Sequence, residues 1–245
     1  PFDHVQRNIV EIFTHGAEPH AVAGIMAKDT YAVTSALVEV VKPDEGDDVA
    51  GALVLLALGH DGRDGGMRLV KVLAARELRT ATEPNAVLRG FHVAAKVAGL
   101  YAGIVGRAWR DAVVGPSLAV LDTLASVEDL VDAVGDLLER AFNGIDALPL
   151  ELRSIADHLN AVVGARFPEA WFVGPGRFLF THYVCRGLVD GAATPNARTV
   201  AKRMASVIVH MVNDMRFGVG TPDDVVLTGA TGVPDLGAVR EPGSS

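Results

Sequence analysis

The sequence predicts an all-α fold. Apolar residues recur at helical spacing in nearly every segment, as at Val127, Leu130 and Val134. No strand-like alternation of apolar and polar residues occurs between residues 117 and 213. Hydrophobic residues make up 49% of the chain but aromatic residues only 6%. The apolar content is therefore mostly alanine, valine and leucine, which suits packed helices better than a β-sandwich.

In the first half of the chain, turn residues separate the predicted helices. These helices cover 3–14, 19–27, 30–41 and a segment from about Phe91 to a stop at Gly115-Pro116. Residues 49–58 form a nearly continuous apolar run, whose period fits a helix or a buried strand; the neighbouring helices favour a helix. An acidic linker is predicted at 42–48 and a tight glycine-rich loop at 60–66. Arg89 lies between a turn at 83–85 and the helix from Phe91, beside a glycine that permits close backbone approach.

The second half has clearer helix boundaries. Ser126 and Asp129 have the spacing of a capping box, and Asn143-Gly144 ends the helix that it starts. Further helices are predicted from near Pro149 to Phe167-Pro168, from about Arg177 to Val189 after Gly174-Pro175-Gly176, and from Arg198 to Asn213 after a turn at 194–196. Residues 1–60 are predicted as N-terminal flanking helices, 61–217 as the core and 218–245 as an extended or mobile tail.

Charge and composition exclude several classes of function. The formal net charge is −8, which argues against a nucleic-acid-binding protein because such proteins need a basic face. Cys185 is the single cysteine, so no intrachain disulfide can form. No apolar run reaches the length of a membrane span, and no secretion signal is recognisable at the N-terminus. We expect a cytoplasmic protein.

No self-sufficient active site is recognisable in the sequence. The phosphate-binding loop of P-loop NTPases, the G-x-S-x-G elbow of hydrolases and the H-E-x-x-H zinc site are all missing. Cys185 and His182 are one helical turn apart, but a lone cysteine in an apolar run is more typical of a core residue than of a nucleophile. No cofactor and no metal ion are expected. This composition is what we expect of a protein that completes the active site of a partner.

Four segments resemble conserved runs of Ras GTPase-activating domains. The first is V-L-R-G-F-H-V-A-A-K at 87–96, which resembles the finger loop and first core helix of that family. The Arg76-Glu77 pair precedes it, the run at 148–169 is similar to the Pro-x-x-Leu-Arg…Arg-Phe-Pro run, and 180–190 is similar to the Phe-Leu-Arg signature. The four occur in the family's order over about 150 residues. The resemblance implies an elongated antiparallel helical domain.

The resemblance also implies a function in trans. The chain would be an enzyme activator rather than an enzyme, and its partner a Ras-like small GTPase in the GTP-bound form. Arg89 would be the arginine finger that enters the active site of the GTPase. The partner-binding residues implied are Leu88, Gly90, Phe91, Lys96, Arg186 and Asn213.

The sequence departs from the family pattern at three positions. His182 stands where the family has an arginine that braces the finger loop, and we predict that His182 takes this role with a shorter donor. A rival register puts Phe178-Leu179-Phe180 on the motif and leaves no donor. In a further alternative, His182 only fills space on a core helix. Phe91 replaces the usual Asn or Thr, and Arg186 replaces a proline.

Two alternatives to the hypothesis of a GTPase activator remain. A catalytically weak scaffold would bind a small GTPase through the same groove without activating it. A helical structural module would have no GTPase partner at all. If Arg89 proves dispensable for activation, Arg107 and Arg110 are the next arginines to test.

Overall fold

The computed structural model describes residues 45–89 and 92–213, together with residues 34, 36–38 and 41. Helices account for 87% of these residues and none is in a strand, which confirms the all-α class for the described part of the chain. The main helices are α1 (Gly46–Thr80), α2 (Val93–Val105), α3 (Arg107–Val120), α4 (Val127–Asn143), α5 (Leu150–Arg166), α6 (Val173–Gly176), the π-helix π1 (Arg177–Cys185), α7 (Arg186–Gly191) and α8 (Pro195–Val212).

Several predictions fall wholly or partly on other residues. The predicted helices at 3–14 and 19–27 and the tail at 218–245 lie outside the described residues. Within the helix predicted at 30–41, residues 34 and 36–38 are helical. The linker predicted at 42–48 is wrong in its second half, because α1 already begins at Gly46. Asp47 and Asp48 then lie in the first helical turn, where negative charge is favourable.

Helix α1 contains the apolar run at 49–58, which is therefore helical. The loop predicted at 60–66 shrinks to a two-residue break, since only Asp61 and Gly62 leave helical geometry. Gly62 has φ 58° and ψ −143°, a conformation almost restricted to glycine. The next turn stays helical and packs on Tyr101 of α2, whose hydroxyl donates to the Arg63 carbonyl at 2.7 Å. α1 thus runs across the boundary between the predicted N-terminal part, 1–60, and the predicted core, 61–217.

The helix after the Arg89 loop is divided at Gly106, which separates α2 from α3. Gly106 faces Tyr183 and Leu152 so closely that a Cβ there would overlap both, and the Tyr183 hydroxyl donates to its carbonyl. The predicted stop at Gly115-Pro116 is wrong, because α3 passes through Pro116 to Val120. Pro116 leaves the Ala112 carbonyl without an N–H partner, but this turn is exposed and water can bind that carbonyl.

Several boundaries in the second half are confirmed. Ser126 and Asp129 form the predicted capping box of α4, and Gly144 follows its last residue. α5 begins directly after Pro149 and ends before Phe167-Pro168. The predicted start near Arg177 is wrong, since helical structure begins at Val173 and Pro175 lies in the first turn. The first N–H groups of a helix have no intrahelical partner, so a proline costs little there.

The core lies where π1 packs between α2 and α8. Its largest fully buried side chains include Tyr101, Tyr183 and Phe178. The Tyr183 ring stacks on Trp109 of α3 with ring centroids 5.8 Å apart, and the Trp109 N–H donates to the Gly144 carbonyl at 2.7 Å. In the described part of the chain, no helix has both the length and the apolar character needed to cross a bilayer.

Candidate functional site

The candidate site is the connection between α1 and α2, which presents Arg89. After α1 the chain extends at Ala81, makes a single 3₁₀ turn at Pro84–Ala86 and then buries both Val87 and Leu88 completely. Arg89 follows with its side chain 47% exposed. An exposed arginine therefore comes directly after two residues that are buried in the core.

Leu88 is held by both its side chain and its backbone. Its φ is +52°, a left-handed conformation that a leucine rarely adopts. Its N–H donates to Glu77 Oε2 at 2.8 Å, and its carbonyl oxygen lies 2.6 Å from His182 Nε2. Strained backbone of this kind persists only where the surroundings fix it and is found mainly at functional sites. The conformation of Leu88 sets the direction in which the chain leaves towards Arg89.

Glu77, near the end of α1, holds the connection on both sides of Arg89. One carboxylate oxygen accepts from the Leu88 N–H, and the other lies 3.0 Å from His92 Nδ1. Burial raises the pKa of Glu77, while the Leu88 N–H and His92 oppose that shift. One carboxylate thus connects the residue before Arg89 with the residue before α2.

His182 donates to the Leu88 carbonyl as a neutral imidazole. Burial lowers the pKa of His182 to about 4, with a smaller contribution from the positive charges of Arg177 and Arg186. Because a carbonyl oxygen only accepts, Nε2 must carry the proton. Gly99 of α2 makes this position possible, since a Cβ there would lie 2.8 Å from the His182 carbonyl oxygen. The geometry matches the predicted brace, whose role in activity stays a prediction.

Arg177 was not among the residues chosen from the sequence, yet it makes more contacts to the connection than His182 does. Its Nη1 donates to the carbonyls of Asn85 and Val87, the latter at 3.0 Å. Its Nε donates to Asn213 Oδ1 at 2.9 Å, at the end of α8. The one available sequence signal was a cation directly before an apolar helical segment, which normally indicates a solvated side chain.

A third donor side chain holds the start of the connection. Arg166, at the end of α5, donates to the Ala81 carbonyl at 2.7 Å. Arg166, Arg177 and His182 together occupy the carbonyls of Ala81, Asn85, Val87 and Leu88. Side chains from α5 and π1 therefore replace the hydrogen bonds that regular secondary structure would provide.

The Arg89 side chain forms a weak ion pair with Glu83. Its guanidinium lies 3.5 Å from Glu83 Oε1, and both side chains are about half exposed. Exposed pairs of this kind contribute little free energy. The next two predicted site residues, Gly90 and Phe91, lie outside the described residues.

The other predicted partner-binding residues take different places. Lys96 is only 15% exposed and its Nζ lies 3.3 Å from Asp47 at the start of α1. Arg186 is at the start of α7, pairs with Asp190 at 3.4 Å and lies against Gly99 beside His182. Asn213 is buried and reaches the site through Arg177. Leu88, His182 and Asn213 thus belong to one hydrogen-bonded assembly around the connection, whereas Lys96 is directed towards α1.

Other reactive groups offer little chemistry of their own. Cys185 is buried and burial raises the pKa of its thiol to about 12, so it is protonated at neutral pH. Among the described residues no group of three or more His, Cys, Asp or Glu side chains could hold a metal ion. What the connection can offer a ligand is the half-exposed Arg89 guanidinium, directly after a residue whose backbone is held by hydrogen bonds.

Comparison with known proteins found no family model that matches the chain and no curated protein whose sequence matches it.

Proposed function

We propose that this protein is a GTPase-activating protein that stimulates GTP hydrolysis by a Ras-like small GTPase, with Arg89 as its arginine finger. The four sequence segments that resemble Ras GTPase-activating domains suggest this function, and an elongated antiparallel helical domain of that type is part of the proposal. Such a partner would require the protein in the cytoplasm. One structural observation supports the proposal most: the exposed Arg89 follows a buried left-handed Leu88 whose two backbone groups are held by Glu77 and His182.

The chemistry of GTP hydrolysis explains why such an arrangement would help. Negative charge develops on phosphate oxygens in the transition state, and a guanidinium provides a permanent charge with a planar set of donors. Such stabilisation is most effective when the donor is in position before the reaction, because no reorganisation is then needed. A backbone fixed up to Leu88 would present Arg89 to the partner in a direction that is already set.

The proposal requires binding to the activated form of the GTPase. GDP with aluminium fluoride imitates the transferred phosphoryl group, so a small GTPase loaded with it should be captured more strongly than the same GTPase with GDP alone. The test uses a panel of small GTPases, capture in both states, and single-turnover hydrolysis with the wild-type chain. A GTPase that is captured and whose hydrolysis is accelerated supports the proposal.

Two other outcomes would separate the alternatives. Capture without any acceleration of hydrolysis would support the scaffold, since a scaffold needs the GTPase-binding surface but not the arginine finger. Absence of capture across the panel would support a helical module without a GTPase partner. Arg198→Ala is a suitable control in both assays, because Arg198 is an exposed arginine on α8 that takes no part in the assembly around the connection.

A further inference from the structure

We propose that Arg177 is a positioning residue for Arg89. The π-helical winding of π1 lets both Arg177 and His182 bind the backbone of the connection. The effect on hydrolysis rests on the proposed function, whereas the effect on the backbone of the connection does not. The two side chains occupy three carbonyls of the last four residues before Arg89, namely those of Asn85, Val87 and Leu88.

The winding of the helix decides whether both side chains can reach the same backbone. Arg177 and His182 are five positions apart, and in an α-helix such residues point in directions that differ by about 140°. In a π-helix the hydrogen bonds run from residue i to i+5, so residues five apart point in much more similar directions. π1 covers both residues, from Arg177 to Cys185. The contacts of both residues with consecutive parts of the connection follow from that winding.

The two residues contribute different chemistry. Arg177 has several donors and uses them on two backbone carbonyls and on Asn213, which orients the guanidinium from the end of α8. His182 is neutral and supplies one donor, to the Leu88 carbonyl. A second full charge at position 182 would lie beside the guanidinium of Arg177. A neutral histidine avoids that repulsion.

The first test measures the connection without any partner. A protease binds several residues on each side of the bond that it cuts, so trypsin cleavage after Arg89 requires the residues before it to leave their contacts with Arg177 and His182. The fragment that ends at Arg89 is identified by mass spectrometry. Arg177→Met keeps the apolar stem and removes all donors, and we expect it to increase the cleavage rate after Arg89 on the order of 10-fold. Arg177→Lys keeps the charge but cannot serve all three acceptors, so its rate should be intermediate. Arg198→Met is the control and should cleave at the wild-type rate.

The second test measures hydrolysis on a GTPase that the wild-type chain activates. Arg177→Met should lower kcat for stimulated hydrolysis about 10-fold while changing the GTPase concentration for half-maximal stimulation by less than about 2-fold, because it displaces a group that acts in the transition state. A merely structural role would reduce the amount of folded protein and leave kcat per folded molecule unchanged. If Arg177→Met does not fold, Asn213→Ala replaces it. This change removes the acceptor that orients Arg177 but keeps the donors of Arg177. It should also increase the rate of cleavage after Arg89.

The proposal would be overturned if Arg177→Met were cleaved after Arg89 at the wild-type rate. If the methionine variant does not fold, the same result with Asn213→Ala would overturn it. Faster cleavage combined with an unchanged kcat would also overturn it, because Arg177 would then hold the backbone without positioning Arg89. If the wild-type chain activates no GTPase, the proposed function fails while the cleavage test still decides whether Arg177 fixes the connection.

Discussion

Acidification should destabilise the fold through His182, which is neutral in the folded chain. Burial and the neighbouring positive charges of Arg177 and Arg186 lower the pKa of His182 to about 4, whereas an imidazole in the unfolded chain titrates near its ordinary value of about 6.5. Between these values the unfolded chain binds a proton that the folded chain does not. The free energy of unfolding therefore falls as the pH falls from about 6.5 to about 4, and it is highest above that window.

The size of the effect follows from the gap between the two pKa values. A gap of about 2.5 units corresponds to a maximum loss of about 3 kcal/mol, since each unit is worth about 1.4 kcal/mol. At about pH 5 the expected loss is about 2 kcal/mol. His158 contributes in the same direction, because burial also lowers its pKa. A comparison of variants is needed to isolate the contribution of His182.

The matched variant is His182→Gln, whose amide can donate from nearly the place of Nε2 but does not titrate. Urea unfolding, followed by far-UV circular dichroism, gives the free energy of unfolding at about pH 7.5 and about pH 5. We expect the wild-type chain to lose about 2 kcal/mol more between these two conditions than His182→Gln does. Equal losses in both proteins would show that His182 is not held neutral in the fold, and the reasoning about its donor role would then be wrong.

Individual contacts predict the effect of four further substitutions on stability. Gly99→Ala should lower the free energy of unfolding by about 1–2 kcal/mol in urea titration, because its Cβ would lie 2.8 Å from the His182 carbonyl oxygen. Gly103→Ala on the same helix would meet only an arginine side-chain nitrogen at 3.6 Å and should be neutral or stabilising. Ser126→Ala removes the capping box of α4 and should cost about 1 kcal/mol, seen as a lower Tm. Trp109→Phe keeps the stacked ring but leaves a part-buried carbonyl without its donor, and should cost about 1–2 kcal/mol in the same titration.

Local sequence signals predicted the helix boundaries that depend on neighbouring residues. The capping box at Ser126 acts within one turn, as does the break at Phe167-Pro168. Boundaries set by tertiary contacts were missed. The break at Gly106 depends on Tyr183, which is 77 residues away, and an exposed surface lets α3 pass through Pro116. The π-helix was missed because periodicity does not distinguish it from an α-helix over nine residues.

For the candidate site, the sequence located the loop but not what holds it. The turn before Arg89 was visible in Pro84 and Asn85, and the resemblance pointed to His182. The contact of His182 with Leu88 spans 94 positions, and those of Arg177 span about as many. Such contacts leave no local pattern in one sequence. The left-handed Leu88 was equally invisible, because leucine is among the residues least expected in that conformation.

The central claim is that Arg89 acts on the transition state of a partner's GTP hydrolysis. Single-turnover hydrolysis and binding, measured with one GTPase that the wild-type chain activates, test it most directly. Arg89→Ala should lower stimulated hydrolysis on the order of 10²-fold or more while binding is largely kept. Arg89→Lys should fail as well, because an ammonium cannot reproduce the planar guanidinium. Stability should barely change, as the side chain is about half exposed. Full stimulation by Arg89→Ala would contradict the claim, and Arg107 and Arg110 would then be the arginines to test.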